Sequence, residues 1–147
     1  MLHIKPFSAL TTDELYDILQ LRCEVFVVEQ ACSYLDIDGI DRNSTHLWIA
    51  EEGVIMAYLR AFIKDDTTMQ LGRILSRVRG RGLGKAIVEA GIEICFRHEA
   101  VTRIEIEAQC YAQPFYEQSV FIAYGEPFDE DGIPHIRMSL ERGQKYD

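Results

Sequence analysis

Residues 69–98 read MQLGRILSRVRGRGLGKAIVEAGIEICFRH, and this stretch predicts a strand, a glycine-rich turn and a helix in succession. Its first part carries apolar residues at strand-like positions from Leu71 to Val78. Glycines follow at positions 80, 82 and 84. Beyond Lys85, apolar residues recur at the spacing of one helix face as far as Cys95. The chain therefore places a glycine-rich loop directly before a helix N-terminus.

This loop has the features of an anion-binding site. Glycine adopts positive φ angles easily and leaves no Cβ between the backbone amides and a ligand. The first amides of a helix lack partners within the helix, and the helix dipole adds positive charge there. Arg79, Arg81 and Lys85 add cationic side chains. We interpret residues 79–85 as a phosphate site; the alternative is a tight turn with solvated arginines.

Two common nucleotide motifs do not fit the loop. A Walker loop requires Gly-x-x-x-x-Gly-Lys-Ser/Thr, but Arg79 occupies the first glycine position and Ala86 replaces the hydroxyl residue. The dinucleotide fingerprint Gly-x-Gly-x-x-Gly fails from either starting glycine, because Lys85 and Ile87 stand at the last position. ATP, GTP and dinucleotides are therefore disfavoured as ligands.

Composition indicates one domain that spans residues 1–147, since 48% hydrophobic residues can form one sizeable core. No apolar run approaches the ~20 residues of a membrane span, and the N-terminus lacks a signal-peptide pattern. We therefore expect a cytoplasmic protein without a membrane partner. The net charge of -9 disfavours nucleic acid. The spacing of Cys23, Cys32, Cys95 and Cys110 predicts neither a disulfide framework nor a metal site.

The rest of the chain predicts a mixture of strands and helices. Strand patterns lie near residues 2–6, 46–50, 54–63, 103–109, 121–128 and 133–140, and helical patterns near 11–26 and 112–119. Thr11 and Glu14 have the spacing of a capping box, and Glu52 and Gly53 that of a hairpin turn. Strand 103–109 follows a strand and a helix, so we expect it to complete a βαβ unit.

Arg22 lies within the apolar stripe of the first predicted helix. A buried guanidinium must be paired, and Asp36, Asp38 and Asp41 in the following loop are the candidate partners. The alternative is that Arg22 extends along its own stem to the surface. The loop itself is long and irregular, and we interpret it as a wall of the acceptor site.

The pattern Arg-x-x-Gly-x-Gly, formed by Arg79, Gly82 and Gly84, is similar to the pyrophosphate loop of the GNAT superfamily of N-acetyltransferases. More narrowly, the chain resembles the ElaA group. The matching segments are residues 21–23, 25–30, 38–39, 58, 60, 72–73, 79–85, 108–109, 115–116 and 131–136. Val120 stands where this group usually has glycine. The resemblance implies the GNAT acyl-CoA N-acyltransferase fold, an α/β (α+β) fold. Its central sheet is mixed and mostly antiparallel, with a βαβ acetyl-CoA-binding unit and flanking helices.

The resemblance also implies an activity, in which an amine attacks the thioester of acetyl-CoA directly. The acceptor would be a small molecule, a protein lysine or a protein N-terminus, and no metal would be needed. Pantetheine would run along Ile74, Leu75 and Ser76, and an amide near Leu75 would polarise the thioester. The residues implied for the pyrophosphate are Arg79, Gly80, Arg81, Gly82, Leu83, Gly84 and Lys85. Tyr116 would protonate the departing thiolate; the alternative is a core aromatic residue.

The base that deprotonates the amine stays open at this point. The candidates are Glu29, Glu107, Asp38, His46 and His135, with Glu29 and Glu107 taken as catalytic. Glu105 and Glu107 share a strand face, so repulsion between them would raise the pKa of one. For substrate binding, the candidates are Arg22, Asp38 and His135. Each of these residues also has a plain structural or solvated interpretation.

Two other functions compete with acetyl transfer. A non-catalytic acyl-CoA-binding or sensing module would keep the loop but transfer nothing. The pattern of Arg22, Val25 and Phe26 with the acidic loop is also similar to acyl-homoserine lactone synthases, although those chains are generally longer. Strands near the C-terminus could form a sheet edge that pairs in a homodimer.

Overall fold

The computed structural model describes residues 1–31 and 34–144, and Cys32 lies outside them. The strands are β1 (Leu2–Pro6), β2 (Thr45–Glu51), β3 (Val54–Ile63), β4 (Thr68–Ser76), β5 (Arg103–Gln109), β6 (Ile122–Glu130) and β7 (Ile133–Glu141). The α-helices are α1 (Thr12–Arg22), α2 (Leu83–Phe96) and α3 (Gln113–Glu117). A π-helix covers Cys23–Glu29, and short 3-10 turns cover Phe7–Ala9, Ile40–Asn43 and Cys110–Ala112. No helix in the described ranges is both long and apolar enough to cross a bilayer.

The strands form one seven-stranded sheet in the order β1-β2-β3-β4-β5-β7-β6. Among the described strands, β4 and β5 form the parallel pair, and the other neighbours are antiparallel. The helix α2 connects β4 to β5, as expected of a βαβ crossover. The predicted fold class, a mixed and mostly antiparallel sheet with a βαβ unit, is confirmed.

The structure confirms the predicted capping box and the predicted hairpin turn. The Thr11 hydroxyl accepts a hydrogen bond from the Glu14 amide at 3.0 Å, and the Glu14 carboxylate accepts one from the Thr11 amide at 2.9 Å. This reciprocal pair is the predicted capping box. Glu52 and Gly53 both have positive φ, as a two-residue type I′ hairpin requires, and they join β2 to β3.

Three element boundaries differ from the sequence prediction. β4 ends at Ser76, and Val78 lies in a turn where its carbonyl accepts a hydrogen bond from the Ser76 hydroxyl at 2.8 Å. The turn before β7 contains only Asp131 and Gly132, so β6 extends to Glu130. The first helix changes to π-helical geometry after Arg22. Such π segments are often found at functional sites.

The sheet is covered on both faces. On one face α2 packs Ile87 and Val88 into a cluster with Leu59 and Leu71. On the other face α1 contributes Ile18 and Leu21 to a smaller cluster, whose sheet residues are Trp48, Ile55, Tyr58 and Leu75. The alternation of β-strand side chains explains this division, because Tyr58 and Leu59 point to opposite faces of β3.

At Gly91, α2 packs closely against the sheet. A Cβ at this residue would lie 2.9 Å from a Leu59 methyl carbon and 3.2 Å from both methyl carbons of Leu71. We therefore expect Gly91→Ala to lower the free energy of unfolding by about 1–3 kcal/mol through overpacking, measured by urea denaturation. Gly72→Ala is the matched control, since its added Cβ would make contacts of 3.7 Å or longer. Equal stability of both variants would contradict the expected overpacking.

Candidate functional site

A cleft opens where β4 and β5 diverge. Their paired register ends at Gln70 and Glu105, although both strands continue for several residues. Past that point no described strand pairs with the β5-facing edge of β4. The resulting cleft has a volume of about 730 Å³. The side-chain amide of Gln109 donates a hydrogen bond to the side-chain oxygen of Gln30 at 3.1 Å. This bond connects the end of β5 to Gln30, the residue that follows the π-helix, and both residues line the cleft.

β4 contains a β-bulge at the mouth of this opening. Tyr58 is opposite Leu75 and Arg60 is opposite Gly72, so β4 has one more residue than β3 in this interval. Arg73 lies in the bulge with a φ of 50°, an uncommon value for a residue with a side chain. Gly72, Arg73 and Ile74 all line the cleft. The bulge therefore shapes the wall along which the family resemblance implies that pantetheine binds.

Arg22 is fully buried beneath the cleft, with 0% of its surface exposed. Its guanidinium donates to the Asp36 carboxylate at 3.1 Å, the Asp36 carbonyl at 2.9 Å and the Asp41 carboxylate at 2.6 Å. This geometry corrects the expectation that Arg22 contacts substrate. The side chain does not line the cleft, and its guanidinium is hydrogen-bonded to Asp36 and Asp41 of the loop. Two of the three predicted aspartates are its partners, and Asp38 is not.

Asp38 instead pairs with Arg60 through both carboxylate oxygens, at 2.9 and 2.7 Å. Arg73 adds a longer contact of 3.3 Å to the same carboxylate. Burial alone would raise the pKa of Asp38, but hydrogen bonds and the positive charge of Arg60 lower it to about 2. Asp38 lines the cleft, as expected of a substrate-binding residue, but its charge is compensated there by Arg60.

Tyr116 lies in α3 and lines the cleft. The helix ends in the pattern of a Schellman motif, in which the Phe121 amide donates to the Tyr116 carbonyl and the Val120 amide to the Glu117 carbonyl. Val120 occupies the left-handed position of this motif with a φ of 68°. Glycine adopts this left-handed position most easily. A β-branched residue in it costs roughly 1–2 kcal/mol, and the turn beside Tyr116 is kept nonetheless.

The Tyr116 hydroxyl has no hydrogen-bond partner among residues 1–31 and 34–144. The ring is held by edge-to-face contacts with Phe115 and Phe121, at centroid distances of 5.1 and 6.3 Å. Burial raises the pKa of Tyr116, and Tyr111 raises it further. The phenol therefore stays protonated through the neutral range, as a proton donor must.

The glycine-rich loop follows β4 and ends at the N-terminus of α2. Gly80 and Gly82 have φ angles of 80° and 73°, and Gly82 is the N-cap of the helix. Arg81 donates to both carboxylate oxygens of Glu51, and Lys85 lies 3.9 Å from the Glu89 carboxylate. Arg79 is exposed and has no ion pair within the described residues. Of the other predicted cofactor residues, Ile74 lines the cleft, Leu75 is buried and Leu83 begins α2.

The predicted bases are in different environments. Glu107 lines the cleft, whereas Glu29 is exposed at the end of the π-helix and is not part of the cleft wall. His46 is fully buried between the Tyr58 hydroxyl and the Asp41 carbonyl, at 2.7 and 3.0 Å. Both ring nitrogens of His46 are thus occupied away from the cleft.

The expected pKa elevation on the β5 face does not occur at Glu105. Burial would raise the pKa of Glu105, but its hydrogen bonds with Lys64 and Tyr124 and the charges of Lys64 and Arg103 lower it. The prediction of repulsion between the two strand glutamates missed these partners, which come from the Lys64 turn and from β6. Glu105 is therefore ionised and forms ion pairs with Lys64 and Arg103.

His135, which the sequence suggested as a substrate-binding residue, lines the cleft, and Glu130 of the same hairpin is among the other residues that line it. Glu130 lies between the two strand patterns predicted at 121–128 and 133–140, and it is the last residue of β6. Burial raises the pKa of Glu130, and the Glu107 carboxylate raises it further. No spacing signal in the sequence marks this residue, because its neighbours Glu107 and His135 come from β5 and β7.

Comparison with known proteins agrees with this architecture. The model of the acetyltransferase (GNAT) domain family matches residues 15–142. Protein ElaA of Escherichia coli strain K12 is 38% identical over 140 residues, which cover 91% of this chain and 92% of that protein. A crystal structure of Escherichia coli ElaA superposes with a TM-score of 0.89 at 35% identity, over 96% of this chain and 99% of that one.

Other solved structures share the fold. An acyl-CoA N-acyltransferase from Pseudomonas aeruginosa superposes with a TM-score of 0.88 at 36% identity, over 95% of this chain and 98% of that one. A CoA-dependent acyl-homoserine lactone synthase has a TM-score of 0.80 at 15% identity, over 96% of this chain and 82% of that one. At this level of identity, the likeness to the synthase is one of fold alone.

Proposed function

Because the chain belongs to the GNAT acetyltransferase family, with ElaA among its relatives, we propose that it transfers the acetyl group of acetyl-CoA to a primary amine. The acceptor is a small molecule or a protein amine, and the amine attacks the thioester directly. One observation carries this proposal. The open edge of β4 leads from the cleft to the glycine loop at the start of α2.

The loop and the open strand edge fit the two ends of such a co-substrate. Gly80 and Gly82 leave open space where a Cβ would stand, so phosphate oxygens can approach the backbone closely. Arg79, which has no described ion partner, supplies an available positive charge. The unpaired edge of β4 provides backbone groups for the pantetheine amides and for the thioester carbonyl.

The chemistry needs a proton donor for the leaving group. As the amine nitrogen bonds to the acyl carbon, the bond from carbon to sulfur breaks and negative charge develops on sulfur. Tyr116 lines the cleft with a protonated hydroxyl that no described residue binds. It is therefore our choice for the acid that protonates the CoA thiolate.

Calorimetry with acetyl-CoA tests the binding half of this proposal. We expect saturable binding of acetyl-CoA, no binding of ATP or NAD, and loss of acetyl-CoA binding in Gly82→Asp. The variant places a carboxylate at the helix N-cap, where the phosphates would bind, and strains a residue with a φ of 73°. Gly143→Asp is the matched control, since Gly143 also has positive φ and open space but lies near the C-terminus.

Three results would count against the proposal. Absence of acetyl-CoA binding in the unaltered protein would remove the co-substrate. Binding without release of free CoA thiol, across a panel of small amines and lysine peptides, would instead favour a non-catalytic acyl-CoA-binding module. Acetyl-CoA binding that persists in Gly82→Asp would show that the glycine loop is not the phosphate site.

A further inference from the structure

The β6–β7 hairpin brings Glu130 and His135 together at the cleft wall. Glu130 is the last residue of β6, and the tight turn of Asp131 and Gly132 returns the chain so that Glu130 is opposite Ile133. His135 follows on β7, opposite Gln109 of β5. Its Nε2 atom lies 3.4 Å from a carboxylate oxygen of Glu130.

The hydrogen bonds of His135 fix where its protons lie. Nδ1 is 2.7 Å from the Ile133 carbonyl oxygen, which can only accept a hydrogen bond, so Nδ1 carries a hydrogen. In the neutral imidazole, Nε2 then presents a lone pair toward the Glu130 carboxylate. Two acceptors at this distance repel each other unless a proton lies between them. Glu130 and His135 thus form a pair suited to take up one proton.

The ring of His135 is held in this orientation. Only 8% of His135 is exposed, and its ring lies 5.8 Å from the centroid of Phe128. Glu130 is more accessible, with 46% of its side chain exposed. His135 is therefore held rigidly next to Glu130, whose carboxylate is accessible both to a substrate in the cleft and to bulk water.

The charges around Glu130 also favour proton uptake. Burial raises its pKa first, and Glu107 from β5 and Asp131 from the turn raise it further. His135 from β7 and Arg73 from β4 act in the opposite direction, and the net shift is upward. A carboxylate with a raised pKa is a stronger base than an ordinary surface glutamate.

We propose that Glu130 is the general base that deprotonates the acceptor amine, and that His135 positions it. This assignment rests on the proposed acetyl transfer. The ammonium gives one proton to the Glu130 carboxylate, and the free amine then bonds to the acyl carbon. As the bond to sulfur breaks, Tyr116 donates its proton to the thiolate and regains one from the nitrogen of the new amide. The proton on Glu130 passes to water.

The chemistry also defines the acceptor. An ammonium between Glu107 and Glu130 meets two carboxylates that no arginine or lysine pairs within the described residues, whereas the Asp38 charge is compensated by Arg60. The acceptor is therefore a compound that enters the cleft as a cation. Neutral aromatic amines, which need no base, should be transferred with little dependence on Glu130.

The test compares pH profiles of kcat/KM for the unaltered protein, Glu130→Gln and Glu126→Gln. Glu126 is exposed on the same strand and does not line the cleft. We expect Glu130→Gln to lose about 100-fold at neutral pH with an aliphatic amine. Its rate should keep rising with pH where the unaltered protein reaches a plateau. Acetyl-CoA binding should be unchanged in both variants, and Glu126→Gln should match the unaltered protein.

A second measurement does not depend on turnover. Nitrogen-15 spectra of the histidine side chains should show His135 with hydrogen on Nδ1, and its Nε2 signal should respond to Glu130→Gln but not to Glu126→Gln. A neutral tautomer with hydrogen on Nε2 would overturn the pair. Full activity and an unchanged plateau in Glu130→Gln would overturn the base while acetyl transfer stands. Failure of the unaltered protein to acetylate any amine would refute the proposed function, and the base assignment with it.

Discussion

Replacing Asp41 with alanine is expected to lower the free energy of unfolding by about 3–5 kcal/mol. One carboxylate oxygen of Asp41 accepts hydrogen bonds from Arg22 at 2.6 Å and from Arg60 at 3.0 Å. Arg22 and Arg60 are 0% and 3% exposed, so neither guanidinium can turn to water without unpacking the α1 face. The variant leaves two buried cations near each other with less negative charge between them.

The loss is measured as the change in the urea midpoint at constant m-value, which reports stability without a change in the unfolding reaction. Asp66→Ala provides the comparison, because Asp66 is exposed in the turn between β3 and β4. A surface substitution of that kind usually changes stability by no more than about 0.5 kcal/mol. A loss of unfolding free energy below about 1 kcal/mol in Asp41→Ala would contradict this expectation. It would show that water solvates the two arginines once Asp41 is removed.

The same network connects stability to the cleft. Asp36 contacts Arg22 on α1 and lies 2.9 Å from Arg73 in the β4 bulge. Asp38 connects Arg60 on β3 to Arg73 as well. Because Arg73 has strained backbone geometry, these ion pairs help to hold the bulge that shapes the cleft.

Local signals in the sequence were enough to predict most of the sheet. Strand β5 was predicted with its observed bounds because Ile104, Ile106 and Ala108 alternate with polar residues and are all buried. The capping box and the Glu52-Gly53 turn are likewise decided by residues within four positions of each other. In these cases the physical cause is local, and the sequence shows it directly.

The parts of the site that were missed depend on contacts between distant segments. The π-helix follows α1 without a change in apolar spacing that marks it. Arg22 had three plausible aspartate partners, and only the path of the loop selects Asp36 and Asp41 over Asp38. Glu130 gains its significance from Glu107 on β5 and His135 on β7, which the sheet order brings beside it.

Replacing Tyr116 with phenylalanine is expected to lower kcat by about 100-fold to 10,000-fold while acetyl-CoA binding stays unchanged. The variant removes only the hydroxyl, so the edge-to-face packing against Phe115 and Phe121 is retained. No described residue bonds to that hydroxyl, and its removal should therefore cost the fold little. The loss reflects the expulsion of a CoA thiolate without a proton donor.

The measurement is release of free CoA thiol with a saturating amine, together with calorimetric binding of acetyl-CoA. Tyr16→Phe is the matched control, because Tyr16 is 70% exposed on α1 and lies outside the cleft. Since the pKa of Tyr116 is raised, the phenol is protonated at every pH below its ordinary range, and the defect should persist from pH 6 to pH 9. An acetyl thioester of a CoA analogue whose thiol is more acidic than that of CoA should restore part of the rate in Tyr116→Phe, because a less basic thiolate leaves without a proton donor. Full turnover in Tyr116→Phe would assign the proton donor to another group or to water.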